Sequence, residues 1–419
     1  MANEQWVIEP REHYLDMLRR SKDMPFIKVV TGIRRSGKST LMDVFRKELM
    51  ESGVSEEDIV YLNFELDDPS LPRSHRDLTD YVVSRIRMEP GTYIFLDEIQ
   101  NVEGWEISVG SFFSSGADVY ITGSNSQTLS SELASRLSGR SLEIHVMPLT
   151  FREYVSFRRG SGLPTDRLFR DFVAQGSLPA VAKLQDTSAK VLIPQILQGV
   201  YSTVYVKDIE QRHSISGSMR MANLVRYVMR NIGDRTSSRK ASDYLVSKGV
   251  KISHVTIGDY LGYMDEAFLV IRARRVDSKT KEYLSTSDKF YVTDLGIRNQ
   301  VVPFRQEDMD GLLENIVFNE LRFRYSEVAV CDVNGTEIDF VADPRGTPSY
   351  YQVCMSISDP NTLERELRPL KALKDEYPKC IITYDRYMFD DIDGIRVVQV
   401  VDWLMESRIR WAGGRVRKI

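Results

Sequence analysis

Gly32-Ile33-Arg34-Arg35-Ser36-Gly37-Lys38-Ser39 follows the pattern GxxxxGK(S/T), a loop that wraps its backbone around phosphate groups. Upstream, Phe26 to Thr31 is an apolar, β-branched run that stops at Gly32; downstream, Thr40 to Met50 carries helical spacing. The loop is therefore expected between a buried strand and a helix, the context that the pattern needs. Glycines at 32 and 37 let successive N–H groups turn inward toward phosphate oxygens, aided by the positive end of the following helix. On this reading Lys38 reaches the β and γ phosphates of a nucleoside triphosphate, and the Ser39 hydroxyl ligates Mg²⁺. The expected nucleotide contacts are Gly32, Arg35, Ser36, Gly37, Lys38, Ser39 and Thr40.

A second apolar strand, Thr92 to Leu96, ends in Asp97-Glu98. Side chains at the carboxyl ends of parallel strands face the crevice that holds ligand, so Asp97 is expected on the metal. Glu98, one residue on, is placed to polarise the attacking water, because phosphoryl transfer needs positioning and charge neutralisation. A third strand, Asp118 to Gly123, ends in Ser124-Asn125, a candidate bridge between γ phosphate and water, although Ser and Asn are also common turn formers. After a helical stretch from Gln127 to Leu137, Arg136 and Arg140 are either arginines that reach a neighbouring subunit's γ phosphate or cations that suit a helix C-terminus.

The 419 residues suffice for two to four compact domains, and the formal net charge of −4 gives no global basic character to attract nucleic acid. Cys331, Cys354 and Cys380 are far apart and odd in number, which fits a reducing cytoplasm rather than a disulfide framework or a zinc site. Neither an N-terminal targeting pattern nor a bilayer-length apolar run is present, so the expectation is a cytoplasmic protein with no membrane contact.

Alternation of strands and helices up to residue 147 predicts an α/β nucleotide domain with a parallel sheet at 1–147, its strands at Phe26–Thr31, Ile59–Glu65, Thr92–Leu96, Asp118–Thr122 and Ser141–Met147. A helical segment, 148–217, is a candidate lid or a plain connector. Three helices and two strands in 218–300 read as a winged helix, with Ser253 as N-cap of the third helix. Between Arg235 and Asn299 stand 12 Lys and Arg against 8 Asp and Glu, and Arg272, Arg274, Arg275, Lys279 and Lys281 cluster on the expected wing. DNA phosphates and a protein surface both suit such a module. In 301–419, Asn334-Gly335 predicts a hairpin between Val328–Val333 and Glu337–Ala342. Glu314 and Glu320 on a helix, Asp339 and Gln352 on strands, are either convergent Mg²⁺ ligands or solvated polar groups.

The phosphate loop, Leu96-Asp97-Glu98-Ile99-Gln100, Thr122-Gly123-Ser124, Leu137-Ser138-Gly139-Arg140 and Gly176-Ser177-Leu178-Pro179 together resemble one family. It is the predicted AAA+ ATPases of bacteria and archaea that carry a C-terminal domain of unknown function with a restriction-endonuclease-like core. The resemblance implies ATP and Mg²⁺ as cofactors, Lys38, Ser39, Asp97 and Glu98 in the roles above, Asn125 as a candidate sensor and Arg140 as a candidate arginine finger; a homo-oligomer is one candidate assembly, the oligomeric state being left open by the sequence. It also implies a PD-(D/E)xK core in which Asp339 is the acidic residue and Gln352-Val353-Cys354 stands at (D/E/Q)-x-K. Cys354 replaces the lysine, and a neutral thiol cannot stabilise charge on a scissile phosphate, so an inactive core is expected unless another lysine such as Lys371 reaches in. An ATP-driven switch or motor leads these expectations; an ATP-dependent nuclease and a nucleotide-sensing DNA-binding regulator are the alternatives.

Overall fold

The computed structural model describes residues 9–66, 68–124, 139–184, 187–215, 218–284, 287–410 and 416–418. It comprises two compact units, Met1–Pro148 with Glu266–Phe268, and Leu149–Asp265 with Leu269–Ile419.

The first unit runs α1 (Glu12–Ser21), β1 (Ile27–Thr31), α2 (Lys38–Glu51), β2 (Ile59–Asn63), α3 (His75–Val83), β3 (Tyr93–Asp97), α4 (Trp105–Ser114), β4 (Asp118–Gly123) and β5 (Ser141–His145). All five expected strands are present and form one parallel sheet in the order β2-β3-β4-β1-β5. β1, β3 and β4 are buried along their whole length, which explains why they read as continuous apolar runs rather than as alternating ones. Leu78, Val82, Trp105, Val109 and Phe112 from α3 and α4 pack on one face against Val60, Leu62, Ile94, Leu96 and Val119. Phe45 of α2 meets Phe95 and Tyr120 on the other face, the latter two rings stacked with centroids 4.7 Å apart.

One residue breaks the apolar reading of β1. Lys28 is fully buried and pairs with Asp118 at the start of β4; the same carboxylate accepts from Tyr120 Oη at 2.8 Å and from the Asp23 N–H at 2.9 Å. A buried ammonium persists only where its counter-charge and hydrogen bonds are supplied in place.

The second unit opens with helices Phe151–Phe157, Thr165–Gln175, Pro179–Lys183 and Ile193–Thr203, the last continuing as a π-helix over Val204–Gln211. Next come α5 (Ser218–Arg230), α6 (Ser238–Ser247) and α7 (His254–Glu266), with Ser253 capping α7 through its hydroxyl. β6 (Val270–Ala273) then pairs antiparallel with β8 (Lys289–Val292). The first of the two strands expected in 218–300 is a correction: it divides at Arg274, and β7 (Arg275–Asp277) joins a different sheet.

That sheet has seven strands in the order β13-β14-β12-β11-β10-β9-β7, with β9 (Val328–Val333), β10 (Thr336–Ala342), β11 (Ser349–Cys354), β12 (Lys379–Thr383), β13 (Asp391–Ile392) and β14 (Ile395–Gln399). Asn334 and Gly335, with φ of 53° and 84°, make the expected two-residue turn between β9 and β10. β7 lies parallel to β9, while β11, β12 and β14 are mutually parallel. Helices α8 (Met309–Arg324) and α9 (Pro360–Ala372) pack against the sheet, with Leu367 and Leu370 in the core built on β9 to β12.

Gly176-Ser177-Leu178-Pro179 is a joint within this unit. The wholly buried Asp294 carboxylate accepts from the Ser177 N–H at 2.6 Å and the Ile297 N–H at 3.0 Å. Among the described residues no helix is long and apolar enough to cross a membrane, and the three cysteines are buried and unbridged.

Candidate functional site

The phosphate loop leaves β1 at Gly32 and enters α2 at Lys38. Gly32 has φ +139°, and a Cβ there would lie 2.3 Å from the Val146 carbonyl oxygen, so glycine is required by both conformation and space. Gly37, at φ +100°, turns the chain into the helix as its N-cap. Arg35, at φ +66°, is the strained non-glycine residue of the loop. Arg11, missed from sequence, holds the loop from behind: its buried guanidinium donates to Ser36 O at 3.1 Å, Met147 O at 2.7 Å and Pro148 O at 3.3 Å.

Lys38 is 4% exposed and its ammonium donates to Gly32 O at 2.9 Å and Ile33 O at 3.3 Å, closing the loop on itself. The same Nζ lies 3.7 Å from Glu98 Oε1. The Asp97 carboxylate accepts from Thr122 Oγ1 and, at 3.4 Å, from Tyr61 Oη, and the Ser39 hydroxyl helps to stabilise its charged form. Burial pushes Asp97 up from the ordinary carboxylate range, and the neighbouring Glu98 pushes the same way; the Ser39 and Thr122 hydroxyls and Lys38 oppose them. Glu98 sits in the left-handed region at φ 54°, ψ 48°, its N–H on Thr122 Oγ1 at 2.8 Å and its Oε2 on the Gln100 amide at 2.6 Å.

Four of the expected residues, Lys38, Ser39, Asp97 and Glu98, are thus brought into one polar cluster. The sheet order explains how: β4 lies between β1 and β3, so Thr122 at its carboxyl end can touch both acidic residues. Thr122, Tyr61, Gln100 and Arg11 carried no role in the sequence reading. The signal for Thr122 was a hydroxyl at the end of the strand beside the acidic one, which only strand order makes legible.

The residues fit Mg²⁺ and phosphate. Ser39 and Asp97, the former close enough to favour the charged form of the latter, offer hard oxygen donors, and the buried Ser36 hydroxyl has no partner among the described residues. Gly32, Arg35, Gly37 and Thr40 supply the surrounding backbone. Ser124 is 1% exposed at the end of β4. Asn125 and Arg136 lie outside the described residues, and Arg140 is exposed just before β5, its carbonyl accepting from the Ile27 N–H.

A second polar cluster lies in the second unit. Lys289 Nζ on β8 is 2.7 Å from Glu314 Oε1 on α8, 2.7 Å from Glu337 Oε1 and 3.9 Å from Asp339 Oδ1, both on β10. Burial would lower the Lys289 ammonium, but Glu314, Asp339 and Glu337 outweigh it and hold its pKa above the ordinary value. Asp339 Oδ2 accepts from the Val353 N–H at 2.8 Å, and Gln352 Nε2 donates to Glu366 Oε2 at 2.8 Å.

Three corrections follow. Glu320 does not join this cluster but pairs with Arg324 at 2.7 Å. Lys371 does not reach in either; it binds Asp393 at an exposed position, and the cation that does reach Asp339 is Lys289, from outside the core's own strands. The cations expected on a wing mostly have protein partners: Arg272 binds Asp288, Arg274 stacks 3.8 Å from the Tyr283 ring, Arg275 binds Asp332 at 2.6 Å, and Lys281 lies 3.4 Å from Tyr350 Oη. Among the described residues no group of three or more His, Cys, Asp or Glu is disposed to hold a metal ion.

Residues 25–155 match the model of an AAA domain family, and 166–308 match that of a domain of unknown function. The chain is 35% identical over 400 residues to an uncharacterized protein of Haemophilus influenzae, covering 94% of this chain and 98% of that one. It is 29% identical over 385 residues to the uncharacterized protein MJ1544 of Methanocaldococcus jannaschii, covering 87% and 84%. Among solved structures, the Walker-type ATPase of Pyrococcus abyssi shares the fold with a TM-score of 0.52 at 16% identity, over 70% of this chain and 96% of that one. The chain therefore belongs to one family with the Haemophilus influenzae protein, and its residues 25–155 match an AAA domain.

Proposed function

We infer that the protein hydrolyses ATP and uses the nucleotide state as a switch for its C-terminal modules. The observation that carries this reading is the convergence of Lys38, Ser39, Asp97 and Glu98 beside a glycine-closed loop, a lysine and two carboxylates buried together. Carboxylates gathered beside a lysine at the mouth of a phosphate loop, Asp97 among them with its pKa perturbed, are what a nucleotide-binding site requires. Lys38 exchanges its two carbonyl partners for β and γ phosphate oxygens, and Glu98 orients a water toward the γ phosphorus. Mg²⁺, held by Ser39 and Asp97, would neutralise charge on the phosphates. Arg140, exposed ahead of β5, is the candidate to act on a neighbouring subunit's nucleotide.

On this reading 1–147 is the ATPase domain, 148–217 a lid, 218–300 a winged helix and 301–419 a restriction-endonuclease-like domain without nuclease activity. The last assignment rests on Lys289, whose ammonium already stands among Glu314, Glu337 and Asp339 where a divalent ion would be needed. The experiment is ATP turnover of the whole chain alone, with duplex DNA and with single strands, alongside particle mass with and without nucleotide. Turnover abolished by Lys38→Ala, and by Glu98→Gln with nucleotide still bound, is the expected result. A wild-type chain that binds ATP without turning it over would leave a nucleotide-sensing regulator instead.

A further inference from the structure

The turn after Glu98 is pinned on both sides of one polar residue. Ile99 is fully buried in the core, and Asn101 Nδ2 donates to Phe64 O at 3.1 Å while its N–H bonds Glu98 O at 3.2 Å. Gln100 stands between them with its amide in the site. Nε2 donates to Glu98 Oε2 at 2.6 Å. A carboxylate accepts only, so this contact dictates the amide's orientation: the reverse would set Oε1 against a carboxylate oxygen. Oε1 is left buried, with no hydrogen-bond partner among the described residues. A buried carbonyl oxygen without a donor is an unfavourable arrangement that a bound donor relieves.

We propose that Gln100 is a second water-positioning residue, whose Oε1 accepts one O–H of the attacking water while Glu98 accepts the other. This rests on the ATPase reading above and deepens it. The two acceptors belong to groups already hydrogen-bonded to each other, so one water can donate to both and keep a lone pair for phosphorus. Its oxygen forms the bond to the γ phosphorus as the bond to the β,γ-bridging oxygen breaks, the electron pair leaving with ADP. One proton passes to Glu98; the other stays on the new phosphate oxygen, where Gln100 held it. Nε2 meanwhile fixes the carboxylate plane, and Thr122 Oγ1 fixes the Glu98 backbone at 2.8 Å. The site thus carries a fixed pair of acceptors rather than a single base, an arrangement that lowers the reorganisation needed when water arrives.

The test measures MgATP affinity by calorimetry and hydrolysis in single turnover, on the full chain, for wild type, Gln100→Ala and the near-isosteric Gln100→Glu. Both variants are expected to bind MgATP within about threefold of wild type and to hydrolyse it about 100-fold more slowly, the range for losing a positioned acid–base partner. Should folded Gln100→Ala keep its rate within threefold of wild type, Gln100 only shapes the turn and the proposal is overturned. A faster Gln100→Ala overturns it as well, because the amide would then be a clamp that holds Glu98 away from water. Wild type failing to bind MgATP at all would instead overturn the underlying ATPase reading, a different result from either.

Discussion

The Thr122 hydroxyl donates to Asp97 Oδ1 across neighbouring parallel strands and accepts the Glu98 N–H at 2.8 Å, so one side chain fixes both acidic residues relative to each other. Thr122→Val keeps the shape and removes both bonds, leaving the Glu98 N–H buried without an acceptor at a cost of about 1–3 kcal/mol. Groups that orient a metal-binding carboxylate typically matter by about 10- to 100-fold in metal affinity or activity. A Mg²⁺ titration of ATP turnover should therefore show half-saturation rising, or the plateau falling, by at least tenfold. An unchanged titration curve would make Thr122 a packing residue.

Much of this was legible in the chain itself. The strands β1, β3 and β4 are buried on both faces, so apart from Lys28 and the strand ends their residues are mainly apolar, and Asn334-Gly335 needs positive φ at both positions, which few other pairs tolerate. Local rules reach that far. What stayed hidden depends on partners distant in sequence: Lys28 finds Asp118, 90 positions on, because register sets Lys28 opposite Tyr120 at the foot of the sheet. Lys289 reaches Asp339 because β8 lies against α8, a tertiary fact with no local signature. β7 parted from β6 for the same kind of reason, since Arg275 gains Asp332 only by pairing beside β9. For Asp97 and Glu98 the residue types alone suggested the proposed roles, whereas Thr122 and Gln100, which contact them, are ordinary side chains noticed only through contact geometry.

The Lys28–Asp118 pair tests how a fully buried ion pair holds the strand that feeds the phosphate loop. Lys28→Met leaves Asp118 buried with only Tyr120 and the Asp23 N–H, and loss of one partner from such a pair costs about 3–5 kcal/mol. Adding Asp118→Asn removes the orphaned charge. The double variant should regain more than about 1 kcal/mol in urea unfolding relative to Lys28→Met alone, a coupling that independent sites would not show.

Gly176 is fixed by Asp294. At φ +79°, a Cβ would lie 2.3 Å from Asp294 Oδ1 and 2.5 Å from the Gly296 nitrogen, so the Gly-Ser-Leu-Pro stretch is required by packing rather than by chemistry. Gly176→Ala should lower stability by more than about 2 kcal/mol, combining backbone strain with overpacking. Nucleotide affinity at the phosphate loop should stay unchanged as long as the first unit is folded. Weaker MgATP binding by a folded Gly176→Ala chain would contradict this and tie the stretch to the nucleotide.

Lys289 decides what the C-terminal acidic cluster can do. Its ammonium compensates Glu314 and Glu337 at 2.7 Å each, and Arg235 adds a second cation on Glu337 at 2.6 Å, so the carboxylates are neutralised from within. Divalent cations must displace a buried, strongly held lysine to bind there, and the wild-type chain is expected neither to gain thermal stability in millimolar Mn²⁺ in the absence of nucleotide nor to cut DNA. Lys289→Met removes that counter-charge, strands Glu314 and Asp339 and leaves Glu337 to Arg235, at a cost of about 3–5 kcal/mol. If the carboxylates converge as the distances indicate, Mn²⁺ should restore part of that loss, read as a melting temperature that rises with metal in the variant and not in wild type. Metal-dependent DNA cleavage by wild type, lost in Asp339→Ala, would overturn the internal-neutralisation reading and make Lys289 a working part of a nuclease.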